Sequence, residues 1–135
     1  MASVRVDFEW QKVGAVRVAD GKVVFPKTSE VPGLYRFSCA NEVYVGETDR
    51  LQRRMQHYRT PGPSQMTNIR MNAWFLERLA AGSAVELAIA TAARLDVDGR
   101  VRAADLSRKE ERVVVEHAAI LVEFAAGRTV LNALK

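Results

Sequence analysis

Residues 33 to 58, GLYRFSCANEVYVGETDRLQRRMQHY, constrain the fold more than any other stretch of the chain. The segments Gly33 to Ser38 and Glu42 to Glu47 read as two strands, and a helix is expected from near Asp49. Residues directly opposite across an antiparallel hairpin share a face, as do residues two apart along a strand. An even-numbered loop such as Ala40-Asn41 then puts Tyr35, Phe37, Tyr44 and Gly46 on one face. Two phenols and a glycine there predict a polar shelf with room for a ligand. Thr48 or Asp49 is the expected N-cap of the helix. Along that helix Leu51, Met55 and Tyr58 follow i, i+4, i+7 spacing, while Arg50, Arg54 and Tyr58 form an i, i+4 row. Arg54 is therefore expected to leave the edge of the buried stripe and reach back over the hairpin. Its planar donors match phosphate oxygens. Each residue alone has an ordinary reading, since tyrosines favour strands and arginines coat helices. The ordered set carries the functional one.

Length and charge narrow the setting. A chain of 135 residues is read as one domain, with 1–30 an N-terminal β-hairpin extension and 33–132 the core. Its 48% hydrophobic and 27% charged content is that of an ordinary globular protein. No apolar run approaches the roughly 20 residues that cross a bilayer, and the N-terminus lacks the apolar core of a secretory signal. No membrane partner is expected. Cys39 is the only cysteine, so no internal disulfide can form, and a cytoplasmic location is expected. The net charge of +4 permits an anionic partner, and its distribution says more. From Arg50 to Arg70 there are five arginines (50, 53, 54, 59 and 70) and no Asp or Glu. Such a field beside a tyrosine shelf is the footprint expected for a phosphate backbone.

Taken in order, VRVDFEW (4–10) alternates as a half-buried strand. Asp20-Gly21 between two β-rich runs is a strong hairpin signal, and this hairpin is expected to extend or cover the core sheet. Lys22, Lys27 and Arg17 read as solvated strand-edge residues. Pro61-Gly62-Pro63-Ser64 breaks the chain after the first helix. TNIRMNAWFLERLAAG predicts a second helix capped by Thr67 or Asn68 and stopped by Gly82, and Val85 to Ala90 a third core strand. Residues 94–105 read as a polar excursion turning at Asp98-Gly99. Ser107 with Glu110 forms a capping box for a last helix whose wide apolar surface is expected to be largely buried. Glu116 interrupts that surface, and a carboxylate on an apolar face is costly unless paired or bound to metal. The expected class is α+β, with three central antiparallel strands flanked by helices in the order strand, strand, helix, helix, strand, helix.

Gly33-Leu34-Tyr35, then Tyr44-Val45-Gly46, then Leu51-x-x-Arg54, resemble the GIY-YIG nuclease family, and the resemblance spans residues 33 to 132. What it implies is cleavage of phosphodiester bonds in DNA with one divalent cation, Mg²⁺ or Mn²⁺. Tyr35 would be the general base, and Tyr44 would orient the attacking water or share the base role. Arg54 would stabilise charge on the phosphorus oxygens. Tyr58 matches a position that is His or Tyr in the family, and Glu116 matches the metal glutamate. Glu123, one heptad later, competes for that role but stands later in the last helix than the family places it. Gly33, Gly46 and a late asparagine, Asn132, support the site. Arg50, Arg53, His57, Arg59 and Arg70 are expected to touch DNA. The spacer 36–43 is shorter than usual, the proline between glutamate and asparagine is absent, and Glu47 stands where a small polar or basic residue is common. The role of Glu47, repelling phosphate or helping to hold metal, stays open. Open too are the alternative of a non-cleaving nucleic-acid-binding module with the same fold, and assembly as a homodimer or beside a partner protein.

Overall fold

A computed structural model of the chain describes residues 1–63 and 65–133. Ser64, part of the expected break, lies outside them. The hairpin at the centre forms as its sequence dictates. β4 (Gly33–Cys39) and β5 (Glu42–Thr48) are joined by Ala40-Asn41, with Tyr35 opposite Gly46 and Phe37 opposite Tyr44. Helix α1 (Leu51–Arg59) follows, then α2 (Met66–Ala80) and β6 (Val85–Ala90), which pairs antiparallel with β4. The last helix, α3, spans Lys109–Ala125. The α+β class and the order of these six elements are as expected.

The sheet is larger than three strands. The N-terminal segment divides into β1 (Val4–Phe8), β2 (Gln11–Ala19) and β3 (Lys22–Val24). The Asp20-Gly21 turn closes β2 on β3, and β2 pairs with β6, so the hairpin extends the core sheet. At the other edge β9 (Thr129–Val130) adds in parallel to β5, giving six strands in the order β3-β2-β6-β4-β5-β9. Residues 94–105 are no loose excursion. They form most of the hairpin β7 (Ala93–Val97) and β8 (Arg100–Ala103), turned at Asp98-Gly99. β1 leaves β2 to pair with β7, making a separate three-stranded sheet. Its pattern of apolar residues was right for a half-buried strand; the partner lies about 90 residues away along the chain, beyond the reach of local pattern.

The two faces of the large sheet carry two cores. On one, Tyr35, Phe37, Val16, Val23 and Leu87 pack beneath Leu51, Met55 and Tyr58 of α1 and Met71, Trp74 and Phe75 of α2. Phe37 and Phe75 meet edge to face at 4.7 Å, a geometry that adds to the roughly 2 kcal/mol each large side chain gains by burial. On the other face, Leu34, Val45 and Ala90 meet Val115 and Ala119 of α3 and Leu95 of the small sheet. Only one stripe of α3 is covered, with Val115, Ala119 and Glu123 on an i, i+4 row. Val114, Leu121, Val122 and Phe124 are exposed, so the apolar surface of this helix is not largely buried.

The helix starts also differ from expectation. Arg50, Gln65 and Arg108 occupy the three N-cap positions, and none makes a side-chain cap. Thr48 Oγ1 instead accepts from the Arg50 amide at 3.1 Å, and Ser107 Oγ donates to Asp105 at 2.6 Å. Glu111, rather than Glu110, reaches back to accept the Asp105 amide at 3.0 Å. These polar side chains satisfy nearby backbone in turns, where such bonds compete with capping.

Candidate active site

The strand register builds the centre of the site. Tyr35 lies across from Gly46, and a Cβ on Gly46 would overlap the Tyr35 ring at Cζ and the hydroxyl. Glycine is required here by close approach. The phenol thus lies over the β5 backbone and aims its hydroxyl at α1. Arg54 Nε donates to Tyr35 OH at 3.0 Å, Arg54 Nη2 donates to Tyr58 OH at 3.2 Å, and the two hydroxyls are 2.7 Å apart. The guanidinium carbon also stands 4.7 Å from the Tyr58 ring centroid, within cation–π range. Arg54 and Tyr58 are the i, i+4 pair expected, whereas Arg50 is the N-cap and begins no row.

The expected open shelf is a closed one. Tyr35 and Tyr58 are 1% and 0% exposed and Tyr44 is 8% exposed, because Phe25, Trp74 and Phe75 fill the space above the hairpin. Burial pushes the Tyr35 phenol up to about 12 against the pull of Arg54, and burial raises Tyr58 as well. Arg54 stays firmly charged, because the phenol oxygens it bonds outweigh the cost of its partial burial. Hydrogen counting leaves a surplus. The two phenols carry two protons and share one between them, so one has no acceptor among the described residues. Arg54 Nη1 likewise makes no hydrogen bond among them.

Arg54 also forms the wall of a cleft of about 590 Å³, where the two layers meet at the end of β5. Arg53, Arg54 and His57 line it from α1, and Glu47, Thr48 and Asp49 from the strand end. Lys109 and Arg112 close it from α3, with Gln65 alongside. Tertiary structure has already spoken for part of the arginine field. Arg53 stands 3.7 Å from Asp49, and Arg50 is 3.9 Å from Glu30. Arg59 is exposed at the end of α1, and Arg70 lines a different groove, beside Trp74 and Arg78. Lys109 and Arg112 had no signal in the sequence beyond a charged helix start.

The two candidate carboxylates of α3 separate cleanly. Glu123 is buried and accepts from Arg36 Nε at 2.7 Å, with Arg128 at 3.8 Å. Its charge is matched. Glu116 is half-buried, its one ion-pair partner among the described residues is His117 at 3.7 Å, which is charged only when protonated, and its carboxyl is raised by burial and then by the charge of Glu47. Glu47 is held by Arg112 Nε at 3.3 Å, on the face opposite Tyr35. Glu116 makes no hydrogen bond to Tyr35, Tyr44, Arg54 or Tyr58 among the described residues. Two adjacent carboxylates suit a hard cation such as Mg²⁺, and a raised carboxyl is a charge that a cation would relieve. Among the described residues there is no cluster of three or more metal-ligating side chains. Asn132 holds the site together at a distance: its Oδ1 accepts from the Val45 amide at 3.0 Å and its Nδ2 donates to the Val45 carbonyl at 2.6 Å. Gly33 sits where a Cβ would be 2.7 Å from the Ala90 carbonyl oxygen.

The chain matches no protein-family model, no curated protein and no solved structure. No helix among the described residues is long and apolar enough to cross a membrane.

Proposed function

We propose that this chain is a divalent-metal-dependent endonuclease that hydrolyses phosphodiester bonds in DNA, working in the cytoplasm with a GIY-YIG-like core. The observation that carries the reading is the Arg54–Tyr35–Tyr58 triangle at the wall of a cationic cleft. It holds a charged guanidinium with an uncommitted Nη1 and a surplus phenolic proton, both suited to an anionic ligand. In this reading Arg54 binds the phosphorus oxygens and stabilises the charge that grows on them. Tyr35 removes the proton of the attacking water, and Arg54 is the resident group that favours its phenolate. Tyr58 fixes the Tyr35 hydroxyl, and Tyr44 orients the water. Glu116, with Glu47 beside it, would hold Mg²⁺ or Mn²⁺, which when bound supplies Lewis-acid charge to the phosphate.

A second reading, a non-cleaving nucleic-acid-binding module, is favoured by one observation. Tyr35 is buried and retains its proton up to about pH 12. Incubation of supercoiled plasmid with the chain, with and without Mg²⁺, tests both. Metal-dependent nicking that is lost in Arg54→Ala supports the nuclease. Retarded but intact plasmid under all conditions selects the binding module, and absence of both binding and cleavage ends both readings.

A further inference from the structure

The cleft has two walls, and only one of them belongs to the arginine field of α1. Four cations line it, Arg53, Arg54, Lys109 and Arg112, against two carboxylates, Glu47 and Asp49. Most of these charges are committed within the chain. Asp49 stands beside Arg53 at 3.7 Å. Arg112 is buried, bonded to Glu47 and to the carbonyls of Leu106 and Ser107. Among the described residues two cleft cations have no carboxylate partner: Arg54, anchored on its phenols, and Lys109, which is exposed and makes no side-chain bond to any of them. They stand on opposite walls.

Lys109 also sits against local preference. It is the first residue of α3, where the helix dipole favours acidic groups and where Glu110 and Glu111 follow. A lysine there costs the helix a little, and breaches of local rules concentrate where a residue has work outside its own element.

We infer that Lys109 is a phosphate-contacting residue, gripping the backbone of one nucleic-acid strand from α3 while Arg54 holds it from α1. The inference rests on the reading of the cleft as a phosphodiester site and adds to it the second wall. Its ligand is a phosphodiester strand that reaches both walls, because one monoanionic group on Arg54 would leave the charge of Lys109 unanswered. The flexible stem of lysine carries a point charge that follows the strand without fixing its geometry.

The test is fluorescence anisotropy of the full chain with a labelled oligonucleotide, single-stranded and as its duplex, in EDTA so that binding is read without cleavage. Affinity is followed from about 50 to 200 mM salt, a range over which each lost phosphate contact lowers the log–log slope by about 0.7 for a single strand and 0.9 for a duplex. Lys109→Gln is expected to lower the slope by one such step and to weaken binding several-fold at the low-salt end, with Lys109→Arg retaining both. Lys22→Gln is the control for a charge lost elsewhere, since Lys22 lies on β3 at the opposite edge of the sheet and next to its turn. It should leave the slope unchanged. Lys109 is exposed, so an unchanged melting temperature accompanies the result. A salt-sensitive wild type whose slope falls in Arg54→Ala but not in Lys109→Gln overturns the inference and leaves the nuclease reading standing. So does an equal fall in Lys22→Gln. A wild type that does not bind, or binds without salt dependence, removes both.

Discussion

Tyr35 and Gly46 face each other across the central hairpin so closely that no side chain larger than hydrogen fits between them. The glycine is part of the site because it sets where the phenol lies, and through the phenol where Arg54 points. Gly46→Ala should therefore drive the Tyr35 ring off its bonds and cost about 1–3 kcal/mol through overpacking. In a Tyr35→Leu background the same change should cost less, because the atoms it strikes are gone. Denaturant unfolding of the double-mutant cycle measures this, and strict additivity would contradict the contact.

Arg54 and Arg53 are neighbours in sequence with different work. Arg54→Ala leaves two buried hydroxyls without their donor, so stability should fall by about 1–3 kcal/mol. If the proposed activity holds, cleavage should fall about 100-fold or more, beyond any loss of binding. Arg53 is exposed on the cleft rim, and Arg53→Ala should change stability by no more than about 0.5 kcal/mol. Harm from Arg53→Ala with none from Arg54→Ala would refute the assigned roles.

Glu116 and Glu123 should respond in opposite directions to the same substitution. Burial and then Glu47 raise the Glu116 carboxyl, so the folded chain favours its protonated form. Its contribution to stability is present below the ordinary carboxylate range and is lost as pH rises through the raised value. At neutral pH the charged group is a penalty, and Glu116→Gln should melt higher than wild type, with the gap closing on acidification. Glu123→Gln removes the charge that Arg36 is buried against and should cost on the order of 3 kcal/mol. Thermal melts at neutral and acidic pH decide. A lower melting point for Glu116→Gln at neutral pH would mean that the carboxylate is stabilised by a cation.

Tyr35 should be visible in alkaline unfolding. The folded chain holds its proton up to about pH 12 while the unfolded chain releases it near 10. The phenol thus contributes stability below pH 10 that is lost as pH rises towards 12. Tyr35→Phe should be less stable than wild type at neutral pH, through lost bonds to Arg54 and Tyr58, and the difference should shrink above about pH 10. Urea unfolding followed across that range checks it; a constant difference would mean that Tyr35 does not titrate in that window.

Much of the fold was legible in local sequence. Asp20-Gly21, Ala40-Asn41 and Asp98-Gly99 each sit at a two-residue turn, and each first residue adopts the left-handed conformation, with φ of 52°, 50° and 51°. Turn length then fixes register, and register put Tyr35, Phe37, Tyr44 and Gly46 on one face. Helical spacing placed Arg54 one turn from Tyr58, close enough to bond. These are relations between residues a few positions apart, and backbone geometry alone transmits them.

Tertiary structure decided what distant residues do to one another. β1 pairs with β7, and β2 with β6, because each offers an open edge and a matching apolar face, which a single strand cannot announce. Trp74 and Phe75 close over the tyrosines, turning an expected shelf into a core. Glu123 finds Arg36 while Glu116 finds Glu47, although both carboxylates stand in similar apolar sequence. Lys109 meets Arg54 across a cleft only once α3 has docked on the far face of the sheet. Charge pairing and desolvation depend on distance in space, and those distances exist only after segments far apart along the chain have packed together.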